Sequence, residues 1–248
     1  MEKDLFRLYA QKIISIKDKP NSDDDTCDRY EILLRLQDEA GQLILPGAFI
    51  PAAERYNFMP AIDRWIIGHF MATYHRHCQE HLDSQVDIKS IYAINLSGAS
   101  INSQQFRLFL KEQLTRDRID PSTICFEITE TTAISSLAIA SKFFAELKQM
   151  GCSIALDDFG RGMSSLTYLE NLSVDYLKID GSFVKNIASN KVARATIKYF
   201  NQIAKIMGIE TVAEFVEDEL ILQQLKVIGV DYVQGYGIER PQPLSFNQ

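Results

Sequence analysis

Short apolar runs alternate with amphipathic stretches along almost the whole chain, and this alternation limits the possible folds more than any other feature. Eight runs have the length of a strand: FRLYAQKII (6–14), YEILLRL (30–36), IYAINL (91–96), TICFEI (123–128), SIALD (153–157), YLKID (176–180), IETVAE (209–214) and VDYVQG (230–235). Those from residue 91 onward are rich in β-branched and aromatic residues, which is typical of strands buried on both faces.

Stretches with the helical spacing of apolar residues separate most of these runs. They lie at 60–81, 103–112, 132–150, 192–207 and 218–227. Strands that alternate with helices predict a parallel sheet with helical crossovers. An eight-unit α/β barrel takes about 250 residues, and the chain has 248 without a break in composition. We therefore predict one barrel domain over residues 1–248, with a doubly wound open sheet as the alternative.

Charge and cysteine content restrict the partners and the compartment. The formal net charge of −7 argues against a broad basic surface for polymeric nucleic acid. No segment resembles a signal peptide or a membrane span. The four cysteines form no CxxC pair, so we expect reduced, mostly buried thiols in the cytoplasm. The first run begins at Phe6, which indicates a domain cut from a longer protein, and the acidic segment from Lys17 to Asp28 is expected to be an exposed loop.

Polar residues within or at the end of these apolar runs form the second pattern. They are Glu31, Asn95, Glu127, Asp157, Asp158, Lys178, Glu214 and Gln234. From Asn95 onward their spacing is that of single strand–helix units, so they are expected to converge at the carboxyl end of the strands, where barrel active sites lie. Glu31 lies near the start of its strand and converges only if the first two strands are arranged unusually.

Five carboxylates gathered in one place need compensation, which one lysine does not supply. Carboxylate and amide oxygens suit Mg²⁺ or Mn²⁺ rather than zinc. The adjacent Asp157 and Asp158 could bridge two such ions, an arrangement that usually hydrolyses phosphate esters. Lys178 would then orient or deprotonate the attacking water. The base role requires a low pKa, which nearby carboxylates oppose unless metal neutralises them. A single carboxylate at a strand end is more often a helix cap or an ion-pair partner.

Several ordered motifs give the chain a family resemblance from about Phe6 to Leu244. They are an ExLxR pattern at 31–35 (EILLR), NLS at 95–97, EITE at 127–130, DDFG at 157–160, KID at 178–180, ETVAE at 210–214 and QGY at 234–236. With these motifs the chain resembles the EAL-domain phosphodiesterases, which hydrolyse cyclic di-GMP. The resemblance implies a modified TIM (β/α)8 barrel whose first strand is antiparallel to the others, and this arrangement would bring Glu31 to the site.

The resemblance also implies roles for individual residues. The family's metal ligands match Glu31, Asn95, Glu127, Asp157 and Asp158, with Glu214 and Gln234 reaching the ions directly or through water. Lys178 matches the lysine that positions or activates the water, and Lys178, Glu31 and Glu214 are the expected catalytic residues. Substrate contacts are expected from Gln11, Arg35, Tyr236 and Pro241. The product would be linear pGpG.

Further expectations concern cofactors and regulation. We expect two Mg²⁺ or Mn²⁺ ions, inhibition by Ca²⁺ because its looser coordination spoils the inter-metal geometry, a homodimer, and no membrane contact from this segment. Glu130 and the loop around Gly160, Arg161 and Gly162 match the family's regulatory loop. Arg161 stands where the family has a small residue, and it could pair with Glu130, contact phosphate or simply be solvated. Phe215 replaces a frequent glycine, for which we expect packing only.

Two alternatives to this hydrolase remain open, and one metal pattern is rejected. The first alternative is a silent receptor that binds cyclic di-GMP without turnover; such domains usually lack an acidic ligand, and none is missing here. The second is a two-metal phosphodiesterase with another substrate. His69, His75, His77 and His81 cluster on one predicted helix, but they lack a firm fourth ligand, so we predict no zinc site there.

Overall fold

Ten strands and nine helices are present in residues 5–17, 27–80, 90–116, 119–162 and 166–246, which a computed structural model describes. The strands are β1 (Phe6–Ser15), β2 (Asp28–Gln37), β3 (Leu43–Ile44), β4 (Ser90–Asn95), β5 (Ile124–Thr129), β6 (Ser153–Phe159), β7 (Tyr176–Ile179), β8 (Glu210–Ala213), β9 (Tyr232–Val233) and β10 (Gln242–Pro243). The helices are α1 (Pro46–Arg55), α2 (Met59–Glu80), α3 (Gly98–Asn102), α4 (Gln104–Arg116), α5 (Glu130–Ser135), α6 (Leu137–Gln149), α7 (Gly181–Val184), α8 (Lys191–Met207) and α9 (Glu219–Ile228).

Eight of these strands close into a barrel, and the first of them runs against the other seven. Strand β1 pairs antiparallel with β2 on one side and with β9 on the other. The remaining strands are mutually parallel in the order β2, β4, β5, β6, β7, β8, β9. The predicted modified barrel is confirmed, and the open-sheet alternative is wrong.

The inverted β1 explains how Glu31 reaches the other polar residues. Because β1 turns back into β2 as a hairpin, β2 enters the sheet parallel to β4, with Glu31 level with Ala93. Gln11 of β1 lies directly opposite Glu31 in the same hairpin. Gln11 and Glu31 therefore lie at the same end of the barrel interior as the polar residues of the other strands.

The predicted strands all coincide with observed ones, whereas one predicted helical stretch is divided and helices α1, α3 and α7 were not predicted. The stretch 132–150 is divided at Ser136, whose φ of −140° and ψ of 47° interrupt the helix between α5 and α6. Helix α1 lies in a segment to which no helix was assigned; its Pro46 is at the helix start, where a missing N–H costs nothing. The predicted loop at 17–28 lies largely outside the described residues.

Large apolar side chains pack the helices onto the outside of the barrel. Helix α8 begins at Asn190, whose side chain accepts hydrogen bonds from the Val192 and Ala193 amides, and it ends at Gly208 in the left-handed conformation. Its buried Phe200 contacts Phe159 of β6 edge-on, with ring centroids 4.9 Å apart. These contacts fix the outer layer against the strands that carry the polar residues.

Bulky side chains fill the barrel at the end where the parallel strands begin. The guanidinium of Arg29 lies 4.5 Å from the ring of Tyr232 and 5.3 Å from that of Tyr176, and it donates a 2.9 Å hydrogen bond to the Tyr176 hydroxyl. Ile13 and Val212 pack in the same layer. This filling leaves the polar residues at the opposite end of the barrel.

Two smaller observations bear on the environment of the chain. The four cysteines form no disulfide with one another, and two of them, Cys125 and Cys152, are buried. None of the helices in the described residues combines the length and hydropathy that a membrane crossing requires.

Replacement of Phe200 by alanine tests the packing of α8. Because the side chain is fully buried against Phe159 and Phe183, Phe200→Ala should lower the free energy of unfolding by about 3–5 kcal/mol. Ile206→Ala on the same helix is the control; its side chain is 85% exposed, so stability should change by less than about 0.5 kcal/mol. Urea unfolding followed by circular dichroism measures both, and equal effects would contradict the packing described here.

Candidate active site

Four carboxylates surround the ammonium group of Lys178 inside the barrel. Lys178 is 1% exposed, and its Nζ lies 2.7 Å from Glu127 Oε2, 3.0 Å from Glu214 Oε1, 3.1 Å from Glu31 Oε2 and 3.7 Å from Asp157 Oδ1. We call these five residues the Lys178 cluster. The structure thus brings together side chains from β2, β5, β6, β7 and the residue after β8.

Amide side chains orient one carboxylate of this cluster. Asn95 Nδ2 donates to Glu31 Oε1 at 2.8 Å, and Gln234 Nε2 donates to Glu31 Oε2 at 2.7 Å. Gln234 Nε2 also reaches Gln11 Oε1 at 3.0 Å, and Gln11 Nε2 donates to the Glu239 carbonyl at 2.9 Å. Glu31 is therefore held on both oxygens by residues from distant parts of the chain.

Burial and charge shift the pKa values of these groups in opposite directions. Burial raises the pKa of Glu31, but Lys178 and the amide donors outweigh it, so the Glu31 pKa is lowered. Burial and the charges of Asp157 and Glu31 raise the pKa of Glu214 to about 8, against the attraction of Lys178. Burial and Glu31 also raise the Glu127 pKa well above its usual value. The Lys178 cluster therefore holds more carboxylates than its own lysine can keep ionised.

Lys178 itself keeps its proton. Burial alone would lower its pKa, but attraction by Asp157, Glu127 and the other two carboxylates raises the pKa well above the ordinary lysine value. An ammonium group donates hydrogen bonds and cannot accept a proton. In the arrangement described, Lys178 is an ammonium group that can orient a water or a developing charge.

Two buried oxygen atoms of the site lack hydrogen-bond donors among the described residues. They are Asp157 Oδ1 and Gln234 Oε1. A buried acceptor without a donor lowers the stability of the folded protein. Both oxygens carry full or partial negative charge that no donor among the described residues compensates. Such a set of oxygen donors fits a hard divalent cation.

A second acidic group lies next to the Lys178 cluster and shares Glu214 with it. Asp158, Asp180 and Glu214 each place one carboxylate oxygen within 4.8 Å of the others, and we call them the rim triad. Among the described residues this is the group of acidic, histidine and cysteine side chains that could hold a metal ion, and it contains no histidine.

Asp180 was not among the predicted site residues. It is 2% exposed and follows β7 two positions after Lys178, so the KID motif and its place after a strand were the available signal. Its Oδ1 accepts a 3.0 Å hydrogen bond from the Ser182 amide at the start of α7. A helix cap was a sufficient explanation from sequence alone.

The loop after β6 is anchored by buried Glu130. One oxygen of Glu130 accepts hydrogen bonds from the Gly160 and Gly162 amides at 2.9 and 3.1 Å, and the other accepts from the Tyr168 hydroxyl. Gly160 has a φ of +103°, and a Cβ there would lie 2.8 Å from ring carbons of both Phe183 and Phe200. The position therefore requires glycine. The regulatory role of this loop stays a prediction.

Arg161, between those glycines, pairs with the rim triad and not with Glu130. Its NH1 group lies 3.1 Å from Asp158 Oδ1, and its Nε lies 3.2 Å from Asp180 Oδ2. Of the three alternatives raised by the sequence, pairing with Glu130 is absent, and the exposed side chain is not simply solvated.

The four predicted substrate residues differ in exposure. Gln11 and Arg35 are buried, and the Arg35 guanidinium lies 5.6 Å from the ring of Tyr9. Tyr236 is exposed, with the Arg240 guanidinium 4.6 Å from its ring, and Pro241 is half-buried. Their contacts with a substrate stay predictions.

Two other features named from the sequence have structural explanations. Phe215 adopts a φ of +54°, a conformation that favours glycine, and it packs on Gly181 so closely that a Cβ on Gly181 would lie 2.1 Å from the ring. Of the histidines, His69 stacks on Trp65 at 3.8 Å between centroids, His75 lies 2.8 Å from the Gln79 amide, and His81 lies outside the described residues.

Comparisons with known proteins match the chain along nearly its full length. A family model described as EAL domain matches residues 2–241. The chain is 43% identical to the cyclic di-GMP phosphodiesterase PdeB of Shewanella oneidensis over 217 residues, which are 88% of this chain and 25% of that protein. It is 37% identical to the cyclic di-GMP phosphodiesterase PdeA of Borreliella burgdorferi over 246 residues, which are 98% of this chain and 35% of that protein.

A solved structure agrees with the fold. The crystal structure of the FimX EAL domain from Pseudomonas aeruginosa bound to c-di-GMP superposes with a TM-score of 0.85 at 28% identity, and covers 97% of this chain and 92% of that one. The chain spans about a quarter to a third of the length of the two curated relatives. The resemblance predicted from the motifs is confirmed, and the chain belongs to the EAL domain family.

Proposed function

We propose that this chain is a metal-dependent phosphodiesterase that hydrolyses cyclic di-GMP to linear pGpG. The observation that carries the proposal is the Lys178 cluster, with four carboxylates around one buried lysine and unsatisfied oxygens at Asp157 and Gln234. The names of the relatives support the reaction, and the ligand of the FimX EAL domain supports the substrate.

The proposed cofactor is a pair of Mg²⁺ or Mn²⁺ ions. The residues that would hold them are Glu31, Asn95, Glu127, Asp157 and Asp158, with Glu214, Gln234 and, from the structure, Asp180. When bound, the ions polarise the phosphodiester and make water acidic enough to be a nucleophile near neutral pH. Their positive charge also supplies the compensation that Lys178 alone does not.

The protein side chains provide orientation and proton transfer. Lys178 remains an ammonium group and orients the attacking water by donating a hydrogen bond. The proton that the water loses passes to a nearby carboxylate, and Glu214, whose Oε1 lies 3.0 Å from Lys178 Nζ, is placed to receive it. The water oxygen attacks phosphorus, one P–O ester bond of the ring breaks, and the leaving ribose oxygen takes up a proton. The linear product keeps a terminal phosphate, and the net change is the addition of one water. Glu31, with its lowered pKa, stays anionic throughout.

Substrate binding is assigned to residues at or near the barrel mouth. Arg35 supplies a guanidinium for a phosphate or a guanine edge, and the exposed ring of Tyr236 supplies a stacking surface for a base. Gln11 connects the substrate to Glu31 through Gln234. Pro241 completes the guanine contact.

The setting of the domain is part of the proposal. We place residues 1–248 as a single barrel domain within a longer multidomain signalling protein, which is supported by the small share of each relative that it matches. We also place the domain in the cytoplasm, where thiols such as those of the buried Cys125 and Cys152 stay reduced. The loop held by Glu130 is proposed to link the metal site to a homodimer interface.

The direct test is incubation with cyclic di-GMP followed by chromatography of the products. With Mg²⁺ or Mn²⁺ we expect pGpG, and with Ca²⁺ alone we expect none, because the looser coordination of Ca²⁺ spoils the site. Binding of cyclic di-GMP without any pGpG would favour the silent receptor. Faster hydrolysis of another cyclic dinucleotide in competition would identify a different substrate.

Replacement of Glu31 separates binding from turnover. Glu31→Ala removes the acceptor of Asn95, Gln234 and Lys178, so hydrolysis should fall below detection while calorimetry still records nucleotide binding. Glu112→Ala, an exposed change on α4, should leave kcat within about twofold of the wild type. Turnover by Glu31→Ala at the wild-type rate would remove Glu31 from the mechanism.

Replacement of Lys178 tests the orienting role. Lys178→Met should lower kcat by about 10²–10⁴-fold, with little change in the affinity for cyclic di-GMP measured by calorimetry. Lys142→Met on the exposed face of α6 is the matched control and should retain wild-type kcat. An active Lys178→Met protein would show that the water is oriented by other groups.

Metal binding should be visible without any substrate. Mn²⁺ at about 100 times its Kd stabilises the folded protein by about 2.7 kcal/mol, which corresponds to a rise in Tm of about 5–10 °C for a chain of this size. Asp157→Asn should lose most of this rise, whereas the exposed change Glu112→Gln should keep it. A Tm of the wild-type protein that does not respond to Mn²⁺ would contradict the metal site.

A further inference from the structure

The side chain of Arg161 occupies a place where a cation would otherwise bind. Its guanidinium contacts two of the three carboxylates of the rim triad, Asp158 at 3.1 Å and Asp180 at 3.2 Å. The same two carboxylates and Glu214 offer oxygens within 4.8 Å of one another. The guanidinium is therefore already paired with carboxylate oxygens that could bind a divalent cation.

The backbone of Arg161 is fixed, whereas its side chain can move. The amides of Gly160 and Gly162, on either side of it, both donate to the same oxygen of Glu130. The side chain beyond this anchored backbone is 59% exposed. Arg161 can therefore leave the triad by rotation into solvent without unfolding the loop.

Asp180 shows why an incoming ion must displace this arginine. Its Oδ1 accepts the amide hydrogen of Ser182 at the start of α7, and its Oδ2 is paired with Arg161 Nε. The backbone amide belongs to a helix start and cannot turn away, so the partner that can be exchanged is the guanidinium. A divalent ion close to a guanidinium is also repelled by it.

We propose that the guanidinium of Arg161 competes with a divalent ion for Asp158 and Asp180, and so sets the ion concentration at which the rim triad binds an ion. Part of the site then fills only when the ion outcompetes the arginine. The inference rests on the proposed function, because it assumes that the acidic residues bind divalent ions. It adds that this chain binds one of its ions more weakly than a chain with a small residue at position 161.

The test is a Mn²⁺ titration without nucleotide, followed by the electron paramagnetic resonance signal of free Mn²⁺. In Arg161→Ala the weaker binding step should tighten by about three- to thirtyfold, the range expected for loss of two partly exposed ion pairs. Arg161→Lys keeps the charge, so its affinity should stay within about threefold of the wild type. Arg55→Ala, on α1 and outside the rim triad, should match the wild type.

A second pair of variants shows whether the effect passes through Asp180. Asn can still cap α7 but carries no charge, so in an Asp180→Asn background the additional Arg161→Ala change should tighten Mn²⁺ binding by clearly less than it does alone. An equal gain in both backgrounds would overturn the competition at Asp180.

Further outcomes separate this inference from the proposed function. Unchanged or weaker Mn²⁺ binding by Arg161→Ala, in a protein that still hydrolyses cyclic di-GMP, would overturn only the inference. Weaker binding would show that Arg161 holds the carboxylates in place. Absence of Mn²⁺ binding in every variant would overturn both the inference and the proposed metal dependence.

Discussion

The organisation of this protein depends on one electrostatic constraint, the burial of more negative charge than its interior can neutralise. One lysine inside the barrel has three carboxylates within hydrogen-bonding distance and a fourth slightly farther away. Stability does not explain such a group, because apolar side chains of similar volume would stabilise the folded protein at least as well. Its presence inside the barrel is the observation on which the proposed metal-dependent function rests.

The direction of the first strand makes this concentration of charge possible. Strand β1 closes the barrel from the opposite direction, so β2 enters parallel to β4 and places Glu31 beside Asn95. Gln11, in the first strand of the barrel, and Gln234, directly after the last one, then meet where the barrel closes. The strand contacts that close the barrel are therefore the same contacts that assemble the site.

Much of this arrangement could be predicted from the sequence, because strand spacing and polar residues at strand ends are local signals. All eight barrel strands and seven of the eight convergent polar residues follow from that pattern; only Glu31 required the family resemblance. The division of the helix at Ser136 and the helix that begins at Pro46 depend on backbone geometry that tertiary packing decides. Asp180 was not predicted, since a carboxylate after a strand is more often a helix cap than a ligand, and this one does cap α7. The pairing of Arg161 was open because an exposed arginine has many possible partners.

The fit of Gly160 against its neighbours has a mechanical consequence. Ring carbons of Phe183 and Phe200 approach this glycine so closely that no side chain fits, and Phe200 belongs to α8 on the outside of the barrel. Close-packed interiors transmit small displacements rather than absorb them. A partner that displaces α8 would therefore shift the loop beside the acidic groups through the contact of Phe200 with Gly160. Such a partner would need no contact with the barrel mouth.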